Sequence, residues 1–177
     1  MRSTSELLSQ YAQYHRDRRN IATHFVGVPL IVMAVGTLLS RAAVEISGQT
    51  ITLAMVVWVI AGLWYVTRGS FTLGVAVTMK AGILFALGSL FSGGSLVSWL
   101  AWGLGIFFVG WVIQFVGHYY EGRKPAFVDD LVGLLVGPMF VMAEAMFLLG
   151  WNKPLLAEIE GVAGPTIIRD LTKAKTA

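Results

Sequence analysis

Three histidines, His15, His24 and His118, are the only imidazoles in a 177-residue chain that has no cysteine. Thiol chemistry is therefore excluded: no disulfide, no Cys-ligated zinc, no iron–sulfur cluster and no thiol nucleophile. Any metal must be held by imidazole, carboxylate, amide or water, and a histidine-based site would use most or all of the three. His118 lies in QFVGHYYEGRKPAFVDDL, residues 114–131, in which Gln114, His118 and Glu121 are spaced four and three apart. On a helix this spacing forms one stripe, which Phe107 and Trp111 extend. His118 and Glu121 could both face one ion, with Gln114 beneath them as a ligand or as a donor behind the ligands. His15 and His24 are nine residues apart and would point to opposite sides of an unbroken helix, roughly half a turn out of phase. They can share an ion only if the chain breaks between them. RDRRN, residues 16–20, is the expected break, with Asn20 as N-cap of the next helix.

The elements that must position these groups are apolar helices. The chain is 56% hydrophobic and 13% charged, with a mean hydropathy of +0.71. A soluble domain has about 25% charged residues, so the composition points to a bilayer as solvent. The net charge of +3 is modest. Its basic residues sit at the ends of apolar runs, with no basic–aromatic face between them, which argues against nucleic acid as a partner. Five runs are long enough, or nearly so, to cross about 30 Å of hydrocarbon: 24–40, 51–67, 71–91, 96–117 and 131–150. The first is a retained span and not a signal peptide, since a long polar lead precedes it and no clear cleavage site follows. The links are short, which predicts an all-α bundle of antiparallel neighbours. A β-barrel is disfavoured because the runs do not alternate. SELLSQYAQY, residues 5–14, reads as an amphipathic helix with Leu7, Leu8, Tyr11 and Tyr14 on one face, lying on the membrane surface. The expected division is a membrane-embedded domain over 1–151 and a polar tail over 152–177, outside the bilayer and partly loose.

Arg2, Arg16, Arg18 and Arg19 place the N-terminus on the cytoplasmic side, and Arg68, Arg123 and Lys124 follow by alternation. The fifth run breaks the pattern. If it spans, Lys153, Arg169, Lys173 and Lys175 fall outside; Gly137 and Pro138 could instead break it into a re-entrant segment. Parity gives a firmer result. His24 opens the first span, His118 closes the fourth and His15 precedes the first, so an even number of crossings brings all three histidines to one face.

Other polar residues have two readings each. Arg123 and Lys124 are ordinary positive-inside residues or attract an anionic substrate. Asp129 and Asp130 cap the fifth helix or belong to the site. Lys80 and Glu144 lie inside the hydrocarbon, where each charge costs at least ~2.5 kcal/mol. They should face the bundle interior, paired with each other, or with Lys80 meeting a substrate carboxylate. Gly103, Gly110 and Gly117 recur every seven residues and suit close helix contact.

YHRDRRNIATHFVGVP has the pattern Tyr-His-x4-Asn-x3-His-x4-Pro. GWVIQFVGHYYEGRKPAFVDDL has Gln-Phe-x-Gly-His-x2-Glu-x3-Pro-Ala-x2-Asp. Together these resemble the Mpo-one-like family of membrane proteins, from about Leu8 to Leu149. The resemblance implies an iron(II)-dependent dioxygenase acting on 2-hydroxy fatty acids, which lose the carboxyl carbon as CO2 and leave a fatty acid one carbon shorter. It implies His15, His24 and His118 as metal positions, with Glu121 and Gln114 in catalysis. Asn20 and Glu144 match further polar positions of the pattern, and Arg123, Lys124 and Asp129 stand as candidates for supporting or substrate contacts. The implied partners are the 2-hydroxy fatty acid, dioxygen and membrane lipids. The expected location is the inner membrane of a bacterium or the endoplasmic reticulum of a eukaryote, with the site on the cytoplasmic side. Lys80 has no counterpart in the pattern. The rival class is a non-enzymatic transporter or a lipid- or metal-binding scaffold.

Overall fold

The computed structural model describes residues 2–170 and is helical, as the apolar runs predict. Lys173 and Lys175 lie outside the described residues. Seven α-helices follow in chain order among the described residues: α1 Thr4–Ala12, α2 Arg18–Ser40, α3 Leu53–Val66, α4 Phe71–Ser89, α5 Leu96–Glu121, α6 Gly133–Leu148 and α7 Lys153–Ala163. Three of them, α2, α4 and α5, are long and apolar enough to cross a membrane, and α3 and α6 are shorter apolar helices. The second and fifth apolar runs thus give helices of 14 and 16 residues, about 21 and 24 Å long at 1.5 Å per residue. Pro138 does not break α6 as its type suggested; the helix runs through it.

The link after α2 is a β-hairpin that the apolar runs gave no sign of. Strands β1, Ala43–Ile46, and β2, Gln49–Thr52, pair antiparallel. Ser47 and Gly48 turn between them at φ 51° and 77°, the two positive values that a tight two-residue hairpin turn requires. Thr52 then caps α3 by accepting from Met55 N.

The chain forms two compact units, Met1–Gly27 with Val112–Ala177, and Val28–Trp111. In Val28–Trp111 many large apolar side chains face outward: Ile60, Leu63, Phe71, Met79, Ile83 and Phe108 are all exposed. Its helices meet through glycine. A Cβ on Gly88 would sit 2.3 Å from Met33 O, and one on Gly74 would sit 2.7 Å from Tyr65 O. Gly103 meets Leu38 just as closely. Such contact is what holds helices together in lipid, where burying apolar surface gives no drive.

In the other unit, α1 lies against α6 and α7. Ser3 and Glu6 close a capping box at its start. Leu7, Leu8 and Tyr11 are buried on the face that the sequence picks out. Tyr14 falls in the turn after the helix, and its hydroxyl donates to Asp129. Phe140 and Met139 of α6 and Ile159 of α7 complete this core.

Candidate metal centre

The turn between α1 and α2 solves the spacing of His15 and His24. Tyr14 N and His15 N donate back to Tyr11 O and Ala12 O as α1 ends. Asp17 then starts α2, its Oδ1 accepting from Arg19 N at 2.9 Å. The break expected at 16–20 therefore falls slightly earlier, and Asp17, not Asn20, is the cap. Asn20 lies inside the first turn of α2. An Asp directly before the helix outcompetes it, because its side chain reaches the second helical N–H. Freed from capping, Asn20 donates through Nδ2 to Tyr14 O and to Glu121 Oε2, both at 3.1 Å.

The three histidines meet and are buried, with exposures of 0%, 2% and 6% for His15, His24 and His118. One ring nitrogen from each lies within 4.8 Å of those of the other two. His15 Nδ1 is 2.8 Å from Tyr11 O, and His24 Nδ1 is 2.8 Å from Asn20 O. A carbonyl only accepts, so both Nδ1 atoms carry the proton and both Nε2 atoms present lone pairs. These Nε2 atoms face each other at 3.0 Å. Burial first, then the neighbouring His24 and His118, hold the His15 ring well below its ordinary value of 6.5, so it is neutral. Two buried lone pairs aimed at one another repel, and a shared cation removes the conflict. Imidazole nitrogens bound at about 2.1 Å to one ion stand about 3.0–3.5 Å apart, which the pair already matches. His118 Nδ1 is also buried without a hydrogen-bond partner. The residues therefore fit a metal ion bound by three imidazoles.

The remaining polar groups support this cluster unequally. Gln114, one turn before His118, is buried and its Oε1 has no partner. Gly117 lets α5 approach α2 closely: a Cβ there would lie 2.0 Å from Thr23 Oγ1 and 2.5 Å from Asn20 Oδ1. Tyr11 stacks on His15 with ring centroids 4.1 Å apart and planes 2° from parallel, and Phe140 stands 5.4 Å from the same ring.

Glu121 does not join the imidazoles as its place on the stripe suggested. It is buried in the last turn of α5, just before Gly122 ends the helix at φ 68°. Its Oε2 accepts from Arg16 N, Asp17 N and Asn20 Nδ2 at 3.0, 2.8 and 3.1 Å. Its Oε1 accepts from Arg169 Nε and Nη2 at 3.0 and 2.7 Å. Both oxygens are thus occupied in fastening the turn that carries His15. Glu144 pairs with Arg16 at 3.2 Å and not with Lys80, which is half-buried and makes no ion pair among the described residues. Arg123 donates to Gln13 O, and Lys124 pairs with Asp129 at the surface. Asp130 accepts from Val132 N and from Arg2. Neither aspartate caps α6 with its side chain. Lys124 and Asp129 make no bond to the histidines among the described residues, whereas Arg123 meets the His118 ring through its backbone.

Several contributors were not among the candidate site residues. Arg16 is buried and binds Ala12 O, His15 O, Gly164 O and Glu144. Burial raises the Asp17 carboxyl, but hydrogen bonds from Arg19 and from the Arg169 amide outweigh it and bring it to about 2. Asp17 carried a local signal, since an aspartate directly before a helix is a favoured cap. Arg169 had no local signal at all.

Short helical entry, exit and turn thus deliver a three-imidazole site at the ends of two apolar helices, an arrangement suited to holding a metal ion. The chain belongs to the family described as 2-hydroxy-palmitic acid dioxygenase Mpo1-like, whose model matches residues 1–149. It is also 33% identical over 156 residues to 2-hydroxy-palmitic acid dioxygenase MPO1 of Saccharomyces cerevisiae, covering 86% of this chain and 85% of that protein. No solved structure matches the chain.

Proposed function

We propose that this protein is an iron(II)-dependent dioxygenase that converts 2-hydroxy fatty acids to fatty acids one carbon shorter. The observation that carries this reading is the pair of Nε2 lone pairs meeting at 3.0 Å beside His118, in a chain of this family. The reaction balances as R–CH(OH)–COOH plus O2 giving R–COOH, CO2 and water. The carboxyl carbon leaves as CO2, the carbinol carbon becomes the new carboxyl, and dioxygen takes up four electrons. Iron, held by His15, His24 and His118, supplies the one-electron chemistry that lets dioxygen react with a closed-shell acid. Nitrogen ligands suit iron(II), and three of them leave room for substrate.

The protein's own groups do the rest. Tyr11 O and Asn20 O hold two imidazoles in the ligand tautomer. Gln114 Oε1 is free to accept a hydrogen bond from the 2-hydroxyl of the substrate. Arg123 and Lys124, exposed near the end of α5, draw the carboxylate toward this face. Glu121 is a positioning residue, since both its oxygens are engaged. The neighbouring Tyr11 and Phe140 rings restrict water at His15. Purified under exclusion of oxygen, loaded with iron(II) and then exposed to dioxygen, the protein should release CO2 and the shortened acid in equal amounts. No shortened acid from any 2-hydroxy chain length would overturn the reading.

We also infer that α6 does not cross the bilayer. The N-terminal segment grips both ends of this helix, through Arg2 to Asp130 and Arg16 to Glu144. The chain then returns to Arg16 and Asp17 through Gly164, Ile167 and Arg169. With α2 to α5 as four crossings, the tail shares the face of the N-terminus, and Lys153 and Arg169 obey the positive-inside pattern that a fifth span would break. The chain's lack of cysteine allows a direct test. Single Ser5→Cys and Lys153→Cys variants should react with an impermeant thiol reagent from the same side; labelling from opposite sides would restore the fifth span.

A further inference from the structure

The family match ends at residue 149, yet the chain beyond it returns to the metal centre. Ile167 N donates to Arg16 O and Arg18 N donates to Ile167 O, both at 2.9 Å, so the segment lies beside the α1–α2 turn like a short parallel strand. Residue 169 is then held at three points. Its amide donates to Asp17 Oδ2 at 2.7 Å, its carbonyl accepts from Arg19 Nη2 at 2.8 Å, and its guanidinium reaches Glu121 Oε1 through two nitrogens. We propose that Arg169 is a positioning residue of the metal centre: as the cationic partner of buried Glu121, it lets that carboxylate lock the turn carrying His15. This rests on the metal-binding reading above and extends it to a segment outside the family match.

Glu121 has no exposed side-chain surface, whereas Arg169 is about one-third exposed. A buried carboxylate without its cation is strongly disfavoured. Three neutral donors, Arg16 N, Asp17 N and Asn20 Nδ2, hold its other oxygen. Loss of Arg169 would leave Oε1 bare and favour rotation of the carboxylate toward water, releasing those donors. Arg16 and Asp17 directly follow His15, and Asn20 supplies the carbonyl that orients His24. The effect therefore reaches two of the three imidazoles without touching them. The segment also explains why Asp17 is doubly used: one oxygen caps α2 and the other anchors residue 169.

The test uses the full chain with cobalt(II) as a spectroscopic probe, independent of turnover, and amide hydrogen exchange over residues 13–20. Arg169→Ala should weaken cobalt binding on the order of tenfold, the lower range for groups behind metal ligands. It should also speed exchange at Arg16 and Asp17, while α3 and α4 exchange as in the parent protein. Arg169→Lys should recover part of both effects. Unchanged cobalt affinity and unchanged exchange at 13–20 would overturn the proposal, as would faster exchange spread evenly over every helix. If the parent protein binds no cobalt or iron, the metal reading fails; exchange at Arg16 and Asp17 then decides by itself whether Arg169 locks the turn.

Discussion

The two units of this molecule solve opposite problems with opposite residues. Val28–Trp111 buries little that is polar: Thr37, Ser40 and Arg68 among its described residues. Its threonines turn inward on their own helices, Thr37 Oγ1 to Met33 O and Thr78 Oγ1 to Gly74 O. Cohesion there comes from backbones brought close at glycine, with large apolar side chains left outside. In Met1–Gly27 with Val112–Ala177, the buried set includes His15, Arg16, Asp17, Asn20, His24, Gln114, His118 and Glu121. Cohesion there comes from satisfied charges and directed hydrogen bonds. The difference teaches where chemistry can be built. A glycine seam is tight but mute, whereas a buried polar network can hold ligand atoms in one orientation.

The sharpest way to break the contrast is to remove the centre of the polar network. Glu121→Ala strands Arg16 N, Asp17 N, Asn20 Nδ2 and Arg169 together. A loss of about 3–5 kcal/mol is expected, seen as a large fall in the thermal midpoint of the detergent-solubilised protein together with loss of metal. Gly88→Ala probes the other unit. Its Cβ meets the backbone of Met33 and Thr37, which cannot yield without moving a helix. The expected cost is about 1–3 kcal/mol, with metal per folded molecule unchanged. Equal metal loss in both variants would erase the contrast.

Acidity gives a smaller and graded effect. His15 is held neutral when folded, below its ordinary 6.5, so the unfolded chain binds the extra proton first. Stability from this group is therefore full above about pH 6.5 and falls as pH drops below it, by about 1.4 kcal/mol per pH unit. The other two buried imidazoles of the cluster add to this loss, so the metal-free protein should show at least this slope in denaturation as pH falls from about 6.5 to about 5, and His15→Gln should make it shallower without abolishing it.

Much of the apolar unit was legible because continuous hydrophobic runs declare helices; parity put His15, His24 and His118 on one face, and the expected break at 16–20 allowed His15 and His24 to meet. The hairpin at 43–52 escaped because a short polar link reads the same whether paired or not. Pro138 misled because a proline in the second turn of a helix removes one hydrogen bond without ending the helix. The stripe of Gln114, His118 and Glu121 was read correctly as a shared face. Which partner each takes depended on the path of residues 13–17, which helical spacing does not specify. Asn20 was placed as a cap because the start of α2 was set three residues late. Arg169 was beyond reach for a different reason: a single long-range contact leaves no periodic trace, and its surroundings have the composition of a tail.

The central claim is that three imidazoles hold one metal ion, and X-ray absorption at the iron edge of the iron(II)-loaded protein tests it most directly. The account predicts nitrogen neighbours near 2.1 Å with the outer-shell scattering of three imidazole rings, and iron retention collapsing in each of His15→Ala, His24→Ala and His118→Ala. An iron shell without imidazole scattering, or full iron retention in all three folded variants, would contradict it.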